Sequence, residues 1–246
     1  MNLKILSLVI IGVCILLPDV CYAFLSKDVH LLNMQNGLAD NTVSAVYKDK
    51  EGFIWFGTRN GLSRYDGRRI TNFERSRSYP SISNLKEVFD GVLAFVDNGV
   101  FSAFDLKKER FLSVVSSSGQ GIPSRGMLQR NDSLVWVISG SELHLMKRCA
   151  SKEGELRLRV QEKYTGWNNQ DNLLVAITYS SDKKSICLID EKGRIILLDA
   201  TNLNSFRVID LGRTGSLSVN SVLYDDGRIW ISTIAHGVIY LSLIHI

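Results

Sequence analysis

The sequence predicts an all-β fold built from repeated antiparallel hairpins. Residues 49–67 place two tight turns and two short strands within nineteen residues. The same outline returns four times at spacings of 38, 43, 51 and 43 residues, counted between Trp55, Leu93, Trp136, Cys187 and Trp230. No stretch shows sustained 3.6-residue hydrophobic periodicity, which argues against helical repeats. A period of about 40–50 residues with four strands per unit is typical of a β-propeller blade.

The first copy contains the clearest local signals. Residues 53–58 read as an aromatic and β-branched strand, and residues 62–65 as the strand that returns beside it. Asn60-Gly61 between them is a strong hairpin signal, because both turn positions take positive φ. Asp66-Gly67 turns the chain again before residues 70–73. The first copy therefore predicts one antiparallel meander with short loops.

The repeats predict about five four-stranded antiparallel blades, and the later copies are less regular than the first. The expected blades occupy approximately residues 40–75, 82–115, 127–163, 173–210 and 219–246. Trp55, Trp136 and Trp230 are expected to lie between blades, where each ring would bury about 150–250 Å². The remaining structural anchors lie at turns or strand ends, and they are Gly57, Gly61, Asp66 and Gly67. Asp49 and Asp66 are expected to accept hydrogen bonds from amides of their own turns.

The N-terminus has the features of a signal peptide. Lys4 precedes an apolar run of thirteen residues at 5–17, and Pro18 ends the run. Cys21-Tyr22-Ala23 is a small-x-small site that predicts cleavage after Ala23. Thirteen residues are too few for a helix that spans a hydrocarbon core of about 30 Å. An uncleaved anchor and a lipoprotein through Cys21 are the alternatives. Residues 1–23 are thus predicted to direct export of residues 24–246.

Composition narrows the function classes. The apolar content of 45% indicates a folded chain, and the formal charge of +4 is spread without a basic stripe. No nucleic-acid contact is therefore expected. Cys149 and Cys187 remain after signal cleavage, and they form either a disulfide or two thiols. The four histidines are scattered without ligand spacing, so neither a metal nor another cofactor is expected.

The first copy and the run before it carry a resemblance to a known family. The motif G-L-x-x-N-x-V begins at Gly37, D-x-x-G-F-I-W-F-G-T begins at Asp49, and G-L-x-R-Y-D-G begins at Gly61. This series resembles the two-component-regulator propeller repeats, which form the exported sensor region of hybrid histidine kinases in glycan-degrading Bacteroidetes. The match is most specific in the first copy and good again at residues 226–233.

The resemblance implies a larger architecture than this chain contains. Such proteins carry two seven-bladed propellers, an immunoglobulin-like β-sandwich, a membrane span, a kinase core, and often a receiver and a DNA-binding domain. This chain would cover the signal peptide and about five blades of an incomplete seven-bladed ring, ending inside the fifth. The kinase core would lie downstream, so no enzymatic activity is expected for these residues.

The implied function is ligand sensing. The exported propeller of a hybrid two-component sensor histidine kinase would bind an oligosaccharide or another periplasmic solute. It would signal across the inner membrane to control transcription, as a homodimer in the full-length protein. A periplasmic protein-interaction scaffold is the alternative, followed by a propeller glycosidase, which would need converging carboxylates.

Candidate ligand-binding residues lie in the loops that share one face of a propeller, because rigid strands carry those loops to a common rim. The hairpin candidates are Arg59, Asn60, Asp97, Asn98, Glu191, Lys192 and His236. Between blades, Arg77 and Tyr79 are candidates for an anionic sugar.

The loop at residues 165–172 is the most suggestive segment between blades. Trp167 offers a stacking surface for a sugar ring, and Asn168 and Asp171 offer hydrogen-bond partners for its hydroxyl groups. The alternative is a polar loop whose tryptophan is tucked against the next blade.

Overall fold

A computed structural model describes residues 30–74, 82–167, 172–212 and 216–243. These residues form β-strands, turns and one short 3₁₀ turn at Met34–Asn36, so the predicted all-β fold class is confirmed. The predicted signal peptide lies outside the described residues. Within them, no helix has the length and hydrophobicity needed to cross a membrane.

The strands group into consecutive meanders, which we number sheets one to five. Sheets one and two contain β1 Val43–Lys48, β2 Ile54–Thr58, β3 Gly61–Tyr65, β4 Ile70–Phe73, β5 Ile82–Phe89, β6 Val92–Asp97, β7 Val100–Asp105 and β8 Arg110–Ser116. Sheets three and four contain β9 Gly126–Asn131, β10 Leu134–Ser139, β11 Glu142–Cys149, β12 Glu155–Tyr164, β13 Leu174–Tyr179, β14 Ser185–Asp190, β15 Arg194–Asp199 and β16 Phe206–Asp210. Sheet five contains β17 Val219–Asp225, β18 Arg228–Thr233 and β19 Val238–Ser242.

Within each meander the strands hydrogen-bond in chain order and run antiparallel. The first strands of neighbouring sheets lie beside one another, so β1, β5, β9, β13 and β17 surround a common axis. One pairing departs from the expected pattern of separate antiparallel blades. Glu155–Leu158 of β12 run parallel to Ser113–Ser116 of β8, and this pairing joins sheets two and three into eight hydrogen-bonded strands.

Hydrophobic clusters fill the spaces between consecutive sheets. Between sheets one and two, Trp55 packs with Leu93, Phe95 and Phe104. Between sheets three and four, Trp136 packs with apolar residues of β13, β14 and β15. The side chains of Trp55 and Trp136 are 1% and 0% exposed, so the prediction that they lie between blades is confirmed.

Trp230 differs from the other two anchors. Its side chain is 43% exposed and contacts Tyr240, with 4.5 Å between ring centroids. Ile229 and Ile231 point to the opposite face, where they are buried against sheet four. Successive side chains of a strand alternate between faces, and no sheet among the described residues covers the face that Trp230 occupies. This corrects the expectation that Trp230 is buried between blades.

The polar anchors of the first copy hold its turns. Asp66 Oδ1 accepts hydrogen bonds from the amides of Arg68 and Arg69, as predicted. Asp49 Oδ1 accepts from the amides of Glu51 and Phe53, and Asp49 Oδ2 accepts from Trp55 Nε1 at 2.7 Å. The carboxylate of Asp49 therefore fixes both the turn and the buried indole.

The two cysteines are free thiols in this structure, which answers the alternative left open by the sequence. Cys187 lies in β14 and is buried, and burial raises the pKa of its thiol to about 12. A thiol that stays protonated in an apolar environment is a packing residue, because the thiolate is the reactive form.

Candidate functional site

The first strands of the sheets enclose a cavity of 390 Å³ on the common axis. Its size lies within the range of about 300–1,000 Å³ that is common for small-molecule sites. Polar side chains from several sheets line the cavity, including Ser44, Ser83, Asn84, Thr178, Asn220 and Ser221. Hydroxyl and amide groups of this kind can donate to and accept from the hydroxyl groups of a ligand.

A second cavity of 390 Å³ adjoins the first, because Ser83, Arg125 and Val219 line both. Asn98 and Glu191, from the hairpins of sheets two and four, also line it. Two of the hairpin residues expected from the sequence therefore line this second cavity, which we call the mouth of the axial cavity.

A bulge in β5 shapes the wall of the axial cavity. The register of β5 against β6 shifts between Ser83 and Lys86, and Asn84 has a φ of 53°. A bulge redirects the side chains that follow it. Asn84 Nδ2 also donates to the main-chain oxygen of Arg125 at 3.1 Å, which ties the bulge to the segment that leads into β9.

Lys86 and Arg125 are the two cations in the lining of the axial cavity. Lys86 pairs in register with Ala94, whose side chain belongs to the core between sheets two and three. Burial lowers the pKa of the Lys86 amine below its ordinary value, because removal from water disfavours the charged form. No acidic side chain occurs among the described residues that line this cavity, so its wall is electropositive.

The adjacent carboxylate of Glu87 is engaged elsewhere. Glu87 Oε1 accepts from the amide of Gly91 at 2.8 Å and lies 3.3 Å from Lys50 Nζ. Side chains of consecutive strand residues point to opposite faces, so Glu87 does not neutralise Lys86 across the strand.

Arg59 and His236 are exposed at hairpin turns and do not contribute to the lining of either cavity. The amide of His236 donates to Thr233 Oγ1 at 2.9 Å, a contact within its own turn. The structure therefore does not bring these two residues together with the axial cavity.

Trp167 is buried, with 5% of its side chain exposed. The ring packs in the core between sheets three and four and contacts Phe206 edge to face, with 6.4 Å between centroids. Its Nε1 has no hydrogen-bond partner in the part of the chain that the structure describes. The indole is therefore not an open stacking surface for a sugar, and the alternative of a ring tucked against the next blade is the observed one.

Four further candidates, Arg77, Tyr79, Asn168 and Asp171, lie outside the described residues. Sequence reasoning missed Lys86 and Arg125 altogether. The local signal was a charged pair, Lys86-Glu87, between apolar residues of the same strand. Within the described ranges, no group of three or more histidine, cysteine or acidic residues could hold a metal ion.

The architecture, with meandering sheets around an axial cavity, is that of a β-propeller, and comparison with known proteins supports the class. The family described as two component regulator propeller matches residues 37–60. This segment carries the predicted resemblance, which is thereby confirmed. No curated protein matches the chain.

Solved structures show the same fold at low sequence identity. The extracellular domain of a protein assigned as a hybrid two-component system of B. thetaiotaomicron is 17% identical with a TM-score of 0.61, over 83% of this chain and 27% of that one. A second extracellular domain from that organism, assigned to a one-component system, is 14% identical with a TM-score of 0.55, over 89% of this chain and 38% of that one. The propeller domain of Cps50 from Myceliophteria thermophila is 15% identical with a TM-score of 0.53, over 78% of this chain and 62% of that one.

These likenesses define the fold of the chain as a β-propeller. The chain spans 27% and 38% of the lengths of the two bacterial structures, so it corresponds to a minor part of each.

Proposed function

We propose that this chain is the exported ligand-sensing propeller of a hybrid two-component sensor histidine kinase and that its ligand is a glycan or oligosaccharide. The observation that carries the proposal is the polar axial cavity of 390 Å³, whose walls come from several sheets. The family match at residues 37–60 and the extracellular two-component structures of the same fold support the sensor assignment.

The proposed mechanism is differential binding. A ligand that contacts several inner strands at once favours the arrangement of sheets that closes on it, and it shifts the population toward that arrangement. In the complete protein, a homodimer would pass this shift across the inner membrane to the kinase core. The propeller itself would remain on the periplasmic side.

The cavity favours binding over hydrolysis. A retaining or inverting glycosidase places two carboxyl groups on either side of the scissile bond. Among the described lining residues of the axial cavity there is no carboxylate, and the mouth contributes Glu191. A single carboxylate does not supply the acid and base that glycoside hydrolysis requires.

Calorimetric titration of the full chain with a panel of neutral and acidic oligosaccharides tests the proposal. We expect at least one saccharide to bind and to raise the melting temperature. Asn220→Trp should abolish that binding, because Asn220 lines the cavity and a bulky ring would fill it. Asn204→Trp, at an exposed turn after β15, is the matched control and should bind normally.

If the folded chain binds no saccharide in the panel, the sensing proposal fails and the result supports the alternative of a protein-interaction scaffold. Binding that survives Asn220→Trp would place the ligand site away from the axis.

A further inference from the structure

We infer that the axial cavity selects acidic sugars and that Lys86 and Arg125 bind the carboxylate of the ligand. The inference rests on the proposed saccharide-sensing function and names the chemical class of the ligand. It depends on the two cations in the lining and on the polar groups around them.

Lys86 is the first of the two cationic residues in the lining of the cavity. Its amine is held in a partly buried strand, with burial as the cause of its lowered pKa. No hydrogen bond or ion pair joins it to another residue in the described part of the chain. Burial disfavours the charged form of this amine, and a carboxylate that enters the cavity beside it would favour that form.

Arg125 is the second cationic residue in this lining. The residue is exposed and lines both cavities. Asn84 Nδ2 holds the Arg125 main-chain oxygen at 3.1 Å, which fixes the position of the residue beside β5. A guanidinium group binds carboxylates through two parallel hydrogen bonds, and this geometry makes Arg125 the orienting contact.

The uncharged polar residues of the lining indicate which other groups the ligand carries. Ser83 and Asn220 offer a hydroxyl and an amide group and no negative charge. The hydroxyl groups of Ser44, Thr178 and Ser221 bond within the protein, and their oxygens can still accept hydrogen bonds. This set suits the hydroxyl groups of a sugar ring, while the two cations suit one acidic substituent. A uronic acid carries both kinds of group on one ring.

Glu191 adds a negative charge to the lining of the second cavity, and this charge affects which anionic ligands can enter. It is the acidic residue among the described side chains that line the second cavity. A negative group near the entrance repels a ligand with several dense negative charges more strongly than a ligand with a single carboxylate beside neutral hydroxyl groups. The cavity is thus matched to a uronate more closely than to a polysulfated sugar.

The direct test titrates the full chain with glucuronate and glucose, and with an oligogalacturonide beside a neutral galacto-oligosaccharide of equal length. We expect the acidic member of each pair to bind at least about tenfold more tightly, since each 1.4 kcal/mol of charge interaction is worth a factor of ten. Lys86→Met and Arg125→Gln should each remove most of that preference. Lys152→Met, which removes an exposed lysine far from the axis, should leave it unchanged.

Equal binding of acidic and neutral members would overturn the inference and leave saccharide sensing intact. Binding of neither member would overturn both. Acidic preference that persists in Lys86→Met and Arg125→Gln would also overturn the inference, because the charge recognition would then lie elsewhere.

The pH dependence of stability provides a readout that needs no ligand. The pKa of Lys86 lies below its ordinary value of 10.5, so between the two values the unfolded chain binds more protons than the folded chain. Stability of the native sequence relative to Lys86→Met should therefore rise as the pH rises through that window. The other titratable groups of the two cavities are Arg125 and Glu191. Parallel pH profiles of the two proteins would contradict the assignment of Lys86 as the desolvated amine.

Discussion

Sheets one and five contain the same short motif in opposite environments. Gly52-Phe53-Ile54-Trp55 and Gly227-Arg228-Ile229-Trp230 both place an indole on the second strand of a meander. Trp55 is 1% exposed because sheet two packs on it, whereas Trp230 is 43% exposed. The motif determines which face of the strand carries the indole, and the neighbouring sheet determines whether that indole stabilises the fold.

The turns before the two indoles also differ. Lys48 pairs with Ile54 across a five-residue loop (residues 49–53), whereas Asp225 pairs with Arg228 across a two-residue loop. Six residues before Trp55 stands Asp49, which binds the indole, while six residues before Trp230 stands Tyr224. Two copies that look alike in sequence therefore differ in how the tryptophan is held.

The largest difference is expected on removal of the indoles. Trp55→Ala should lower the free energy of unfolding by about 3–5 kcal/mol, because it leaves a large cavity between two sheets. Trp230→Ala should cost about 1 kcal/mol or less, because the ring is half exposed. Urea unfolding of the full chain measures both. Equal losses would show that the exposed face of sheet five is covered in solution.

A smaller effect is expected where the last copy departs from the first. Gly57 and Ser232 each follow their tryptophan by two residues, but a Cβ added at Gly57 would lie 2.5 Å from Ile82 Cγ2 and 3.3 Å from Ala45 Cβ. Gly57→Ser should therefore destabilise by about 1–3 kcal/mol through overpacking. Ser232→Gly should cost about 0.5–1 kcal/mol, the usual penalty of glycine inside a strand. The comparison would be wrong if Gly57→Ser were neutral in thermal unfolding.

The smallest effect concerns the turn carboxylate. Asp49→Asn should cost about 1 kcal/mol, because the asparagine oxygen can still accept from the amides of Glu51 and Phe53, whereas its NH2 group cannot accept from Trp55 Nε1. Asp226→Asn is the control in sheet five. Asp226 has a φ of 45°, a conformation that asparagine tolerates, so its replacement should change stability by no more than about 0.5 kcal/mol. An equal loss in both variants, in chemical unfolding, would remove the special role of Asp49.

The repeated strands and turns were predictable because each is local. Alternating side chains, turns such as Asn98-Gly99, and the regular spacing of the copies determine the meanders without long-range information. In the first copy the turn lies one residue earlier than expected, because Gly61 pairs with Thr58 and Asn60 does not have a positive φ. Trp55 and Trp136 were correctly expected in the core for the same reason, since a ring of that size on a repeated strand needs a packing partner.

The remaining features depend on distant neighbours. The exposure of Trp230 reflects a face that no sheet of the described residues covers, and the burial of Trp167 reflects contacts with sheet four that its polar flanking residues do not reveal. Lys86 reaches the axial cavity through a bulge with positive φ at Asn84, which no turn signal marks. Such positions are set by tertiary geometry and not by local pattern.

The parallel pairing of β8 with β12 has a mechanical consequence. Hydrogen bonds between Ser113–Ser116 and Glu155–Leu158 join the outer strands of sheets two and three, so we expect these two sheets to move together as one rigid unit. Lys86, on β5, and Arg125, just before β9, both belong to this unit. We therefore expect any widening or narrowing of the ring to occur at the other boundaries between sheets, with less change in the spacing between the two cations.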